Sequence, residues 1–167
     1  MKKFLIIGNG NAITYKEIFP LIKENKMWLG VTLFCGKMPY FCVPKEFVSE
    51  NDRVIVKEDG TILKQLNSIA WFTNLDHANR HTELDLYKKY NAEEYPKYDG
   101  YDAINVDRVV DIPKNYFGEI GVPISFLNKL NRNQFEITGI LTSYDKGQAY
   151  VNGKHIYARL LIKRKKE

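Results

Sequence analysis

Cysteine is nearly missing from this chain: Cys35 and Cys42 are the only two in 167 residues, and they are not spaced as Cys-x-x-Cys. A disulfide framework and a thiolate metal site are thereby excluded, and both thiols read as ordinary buried or half-buried side chains. Long apolar runs are missing too, none approaching the ~18 residues that a membrane-crossing helix needs. The opening Met1-Lys2-Lys3-Phe4-Leu5-Ile6-Ile7-Gly8 has too short an apolar stretch for a secretory leader and no small-residue cleavage site after it. It reads instead as a buried strand of a cytoplasmic protein. Nucleophile elbow, Walker loop and His-Glu-x-x-His are all absent. His77 and His81 stand four apart beside Asp76, but Ala78 takes the place of the glutamate, so they read as surface histidines with no metal expected. No catalytic residue follows from these motifs.

What is present is ordinary for a folded protein: 44% hydrophobic and 27% charged residues. A chain of this length buries about 70% of its unfolded surface, enough for one domain or one domain with an appendage. The net charge of +5 is uneven, because Lys163, Arg164, Lys165 and Lys166 against Glu167 supply +3 of it. The body is nearly balanced, and the basic end reads as solvated or as a contact for phosphate.

The apolar run Phe4-Leu5-Ile6-Ile7 closed by Gly8-Asn9-Gly10-Asn11 predicts a central strand buried on both faces. Thr14 and Glu17 have the spacing of a capping box for a helix over residues 15–25, with a kink expected at Pro20. Residues 27–31 then complete a strand-helix-strand unit. Gly8-Asn9-Gly10-Asn11-Ala12-Ile13 lacks the third glycine of a dinucleotide fingerprint, leaving Asn9 and Asn11 as site candidates of a general kind. Further on, Asp59-Gly60 predicts a hairpin between residues 54–56 and 61–63, and residues 68–75 predict a strand. Alternation around Leu84 and Leu86 predicts another strand or a helix. The stretch Tyr95-Pro96-Lys97-Tyr98-Asp99-Gly100-Tyr101 reads as a loop and a boundary, its tyrosines either stacking on nucleic acid or pinning the loop with their hydroxyls in water. Short strands follow at residues 103–106, 136–141, 149–151 and 156–162, the last two joined by Asn152-Gly153.

Several stretches taken together resemble the EcoRI-type family of adenine-specific DNA methyltransferases. They are Lys3-Phe4-Leu5-Ile6-Ile7-Gly8-Asn9 with Asn11-Ala12-Ile13-Thr14-Tyr15-Lys16-Glu17, then Met27-Trp28-Leu29-Gly30, Ala70-Trp71-Phe72-Thr73-Asn74-Leu75-Asp76-His77, residues 95–106, Gly121-Val122-Pro123-Ile124-Ser125-Phe126-Leu127 and Tyr157-Ala158-Arg159-Leu160. The resemblance implies an α/β fold: the later part of a class I (Rossmann-like) methyltransferase sheet over residues 1–94, followed by a β-rich segment over residues 95–167. It implies transfer of a methyl group from S-adenosylmethionine to adenine N6 in duplex DNA, with the target base flipped out. The family's Asn-Pro-Pro-Phe-type tetrapeptide is absent, since no two of the six prolines are adjacent. The chain therefore resembles the C-terminal portion of such an enzyme and is not expected to bind the cofactor alone. Carried over from the resemblance are Asn9, Asn11 and Lys16 at a strand end, Trp71, Asn74 and His77 near the target base, and Lys163, Arg164, Lys165 and Lys166 on phosphate. A strand from a separate catalytic half, or self-association, is expected along residues 4–7.

Overall fold

The structure, a computed structural model, describes residues 2–32, 40–66 and 68–166. It is a mixed α/β fold with several sheets and little helix. The first sheet has β1 (Leu5–Asn9) and β2 (Trp28–Leu29) on either side of β6 (Ile69–Thr73), both antiparallel to it. β1 is not the doubly buried central strand that its apolar run predicts. Among the described residues it pairs with β6 alone, and Leu5, Ile6 and Ile7 are each about half exposed.

The connection from β1 to β2 also differs from expectation. Residues Gly10–Thr14 form a 3-10 turn, and α1 is only Phe19–Lys23. Thr14 does not cap it; its hydroxyl donates to the Asn11 carbonyl at 2.8 Å. Pro20 falls in the first turn, where no intrahelical N–H is required, so it starts the helix and does not kink it.

A second sheet, β3 (Tyr40–Cys42), β5 (Ile62–Gln65) and β4 (Val54–Val56), contains the expected hairpin, with Gly60 at φ +80° in its turn. Cys42 is free and exposed there, not buried, and Cys35 lies outside the described residues.

The largest sheet runs β10-β13-β9-β8-β7, comprising β7 (Lys97–Tyr98), β8 (Tyr101–Asn105), β9 (Ile120–Pro123), β10 (Phe135–Leu141) and β13 (Arg159–Arg164). Among the described residues only the β8–β9 pairing is parallel. Both faces are covered, which is why Leu160-Leu161-Ile162 reads as a continuous apolar run: Leu160 and Ile162 join a core with Ile104, Val122 and Phe135, while Leu161 packs with Tyr98, Ala103 and Ala149. The first of these cores also takes in Ile13, Phe19, Ile22 and Phe72, so one apolar cluster runs beneath the first sheet, α1 and the large sheet. A short ribbon, β11 (Tyr150–Val151) and β12 (Lys154–His155), turns at Asn152 and Gly153, both at positive φ.

Residues 83–88 form neither strand nor helix. The side-chain amide of Gln134 replaces a strand partner there, accepting from the Leu84 N–H at 2.8 Å and donating to the Leu84 carbonyl at 3.0 Å. Nor are residues 95–101 a loop. Asp99-Gly100 turns the β7-β8 hairpin, and the Asp99 carboxylate accepts from the Asn152 and Gly153 N–H groups. Tyr95 and Tyr98 are buried and their hydroxyls do not face water. Tyr95 donates to the Asp111 carbonyl at 2.8 Å and Tyr98 to Asn105 Oδ1 at 2.8 Å.

Asn105 passes this bonding on to Asp107, which also accepts from Arg159 at 3.1 Å. The Asn105 amide, and after it Arg159, hold the Asp107 carboxyl below its ordinary 3.8 against an opposing effect of burial. A carboxyl lowered on folding stabilises the fold above its unfolded value and loses that contribution as pH falls through the lowered one. Thermal midpoints recorded from pH 6 to pH 2 should therefore fall less steeply below pH 4 in Asp107→Asn than in the unaltered chain.

Candidate nucleic-acid interface

The residues singled out in the sequence form three groups at different places. The first is the loop after β1. Asn9 caps the 3-10 turn, its Oδ1 accepting from the Asn11 N–H at 2.8 Å. Asn11 presents Oδ1 outward, where the hydroxyl of Tyr157 reaches it at 3.4 Å, and Tyr157 is otherwise largely exposed. Lys16 is exposed and only loosely paired with Glu17, at 3.7 Å. Tyr15 is also exposed, so the loop offers amide, phenol and ammonium groups to solvent. Gly10 donates its N–H to the Ser68 carbonyl at 2.6 Å, and an added Cβ at Gly8 would meet the Phe72 ring at an ordinary 3.4 Å. Gly8 and Gly10 thus hold the start of the loop against β6.

The second group lies at the far end of β6, since Asn9 stands opposite Ile69 while Asn74 follows Thr73. Trp71 is half-buried against Gly30, where a Cβ would come within 2.8 Å of its own Cβ. Asn74 is used internally: its Oδ1 accepts from the Phe4 N–H at 2.9 Å and its Nδ2 donates to the Lys2 carbonyl at 2.8 Å. Asn74→Ala should cost about 1–2 kcal/mol of stability in urea unfolding and leave any duplex affinity unchanged. His77 bonds through Nε2 to the Leu29 carbonyl at 2.9 Å, and its Nδ1 is buried without a partner. His81 is exposed and shares Asp76 with Arg80; these two, His81 first, hold the Asp76 carboxyl below its ordinary range. Among the described residues no group of histidine, cysteine and acidic side chains could hold a metal.

The third group is not a free tail. Lys163 and Arg164 belong to β13, an interior strand of the large sheet. Lys163 lies 3.8 Å from the Glu119 carboxylate, and the Arg164 guanidinium sits over the Phe117 ring at 5.2 Å. Lys165 and Lys166 follow as exposed residues, the Lys165 N–H donating to the Gln134 carbonyl at 2.8 Å. Arg164 and Lys166 line an open groove with Lys114, Phe117 and Asp85, three cations against one acid.

Sequence reasoning missed Lys114, Phe117, Tyr157 and a pair of arginines, Arg80 and Arg132. The i,i+4 spacing of Asp76 and Arg80 was a legible signal. Arg132 gave none, because the carbonyl it bonds belongs to Ile22, 110 positions away.

A methyltransferase family matches this geometry's sequence. The family model described as "Adenine-specific methyltransferase EcoRI" matches residues 1–165, and the chain belongs to that family. It is 48% identical over 99% of its length to the type II methyltransferase M.EcoRI of Escherichia coli, covering 51% of that protein. It is 36% identical over 98% of its length to the type II methyltransferase M.MpnI of Mycoplasma pneumoniae, covering 57% of it. The chain thus spans about half the length of the curated relatives it matches. No solved structure matches it. Among the described residues no helix is long and apolar enough to cross a membrane.

Proposed function

We propose that this chain is the DNA-contacting portion of a site-specific, S-adenosylmethionine-dependent adenine-N6 DNA methyltransferase of a restriction-modification system, working in the cytoplasm. The observation that carries this reading is a family match over residues 1–165 in a chain with no two adjacent prolines. Methyl transfer and cofactor binding then fall to a catalytic portion outside these 167 residues, on the same or another chain. Residues 1–94 end the Rossmann-like sheet of the assembled enzyme, and residues 95–167 read the target. Two parallel strands flanking a reversed one, as in β1-β6-β2, are compatible with the margin of a mostly parallel sheet that continues beyond β1. The loop bearing Asn9, Asn11 and Lys16 and the groove bearing Arg164 and Lys166 are the proposed contacts with duplex DNA.

Fluorescence anisotropy of the full chain with short duplexes tests this. Binding should weaken with salt at a logarithmic slope of about −3, as expected for three or four neutralised phosphates. Complete lack of binding at 50 mM salt would remove the DNA role. It would favour a second reading, an inactive remnant that self-associates along β1, which rests on the exposure of Leu5, Ile6 and Ile7.

A further inference from the structure

We propose that the recess between α1, β2 and residues 127–132 is a binding site for a phosphate-type oxyanion, gripped by Arg80 and Arg132. Both guanidinium groups line the recess together with Asn25, Trp28 and His77. Arg80 is held on three sides: its Cζ sits 3.4 Å from the centre of the Trp28 ring, Nη1 donates to Asp76 at 2.6 Å and Nη2 to Asn25 Oδ1 at 2.9 Å. Arg132 is half-buried, and its one hydrogen-bond partner among the described residues is the Ile22 carbonyl at the end of α1. A carbonyl satisfies a donor and neutralises no charge. Arg132 has no carboxylate partner among the described residues, while Arg80 shares its single acid, Asp76, with His81.

Two guanidinium groups line one recess with a single carboxylate, Asp76, which sits on Arg80 and is shared with His81, and that is an incomplete arrangement. Burial and the nearby Arg80 charge both press on the Arg132 cation, whose pKa is lowered to about 10. Buried charges are retained where a counter-charge completes them, and planar forks favour bidentate oxyanions over halides. His77 adds a second incomplete group. With Nε2 engaged on the Leu29 carbonyl, its buried Nδ1 has no hydrogen-bond partner among the described residues. Asn79 and Asn128 also line the recess; the rest of the wall, Met27 and Leu127 among it, is apolar and strengthens any charge-assisted bond formed inside. The oxyanion could come from a DNA backbone phosphate or from free phosphate. Only the first source rests on the function proposed above.

The test is a ¹H–¹⁵N titration of arginine Nε–H resonances in the full chain, with sodium phosphate against sodium chloride at equal ionic strength. Arg80 and Arg132 should shift in phosphate alone and saturate in the low millimolar range. The thermal midpoint should rise in phosphate, and Arg132→Met should abolish both responses while Arg132→Lys keeps part of them. Equal shifts in chloride, or a phosphate response that survives Arg132→Met, overturn the site. If Arg132→Met does not fold, the titration of the unaltered chain decides alone. A short duplex supplies the second arm. Duplex shifting the same two resonances assigns the backbone phosphate as the source. Phosphate shifting them where duplex does not keeps the site and assigns free phosphate. Duplex binding with no phosphate response at either arginine removes the site and leaves the proposed function standing.

Discussion

Gly121→Val is expected to prevent stable folding at 37 °C. Gly121 sits within β9, paired to Leu161 on one side and Asn105 on the other, so its backbone cannot retreat. A Cβ there would lie 2.0 Å from the Tyr98 hydroxyl oxygen and 2.5 Å from its ring. The ring cannot swing away cheaply, because it is buried and its hydroxyl donates to Asn105, the head of the chain leading to Asp107 and Arg159. Overpacking at a site fixed on both sides should cost at least about 3 kcal/mol, a large share of the ~5–15 kcal/mol that holds a domain folded. Urea unfolding followed by circular dichroism measures it. Adding Tyr98→Ala should recover part of the loss, since the two changes meet at one contact and their effects are not additive.

The largest expected change in binding comes from reversing the groove cations. Lys114→Glu, Arg164→Glu and Lys166→Glu in one chain should weaken duplex affinity about 10²-fold near 0.1 M salt and make the salt slope shallower by about 2.7, the signature of three lost phosphate contacts. The fold should tolerate the change: Lys166 is exposed, and Arg164 gives up a cation–π contact worth about 0.5–1 kcal/mol. Reversing three exposed cations around the β3-β5-β4 sheet instead, Lys45, Arg53 and Lys57, provides the same charge change away from the groove. An equal loss of affinity there would mean that net charge alone sets the binding. Deleting everything after Ile162 is a poorer experiment, because it removes the last two residues of an interior strand.

The contrast between these sites explains what the sequence could and could not convey. Turns were legible because glycine with aspartate or asparagine is a local requirement: Asp59-Gly60 and Asn152-Gly153 both turn hairpins. Strands β6, β8, β10 and β13 were legible from their apolar residues to within a few positions. Burial was less so. Leu5, Ile6 and Ile7 have a core composition but lie on a sheet edge, and nothing in the run itself says what stands beside it. Tyr95 and Tyr98 look like surface residues beside lysines, yet their hydroxyls are satisfied by Asp111 and Asn105, contacts that only the folded chain creates. The helix failed for a related reason: Thr14 and Glu17 have the spacing of a capping box, but Asn9 caps a 3-10 turn first and the Thr14 hydroxyl bonds back into that turn. Family membership was readable from text spread along the chain. The roles of individual residues were not, and Asn74 is the clearest case, a candidate contact whose amide is spent on the backbone of residues 2–4.

The place of β13 between β9 and β10 has a consequence for synthesis. A growing polypeptide leaves the ribosome from its N-terminus, at about 5–20 residues per second. β9 is finished at Pro123, but its neighbour in the sheet begins only at Arg159. For a few seconds the chain carries Ile120, Val122, Phe135 and Ile137 without the strand that covers them. The small hairpins can form as they emerge, whereas the large sheet has to wait until β13 has been translated. Slow codons or a stalled ribosome between positions 124 and 158 would lengthen that unprotected interval and raise the demand on chaperones, with no change in the finished protein.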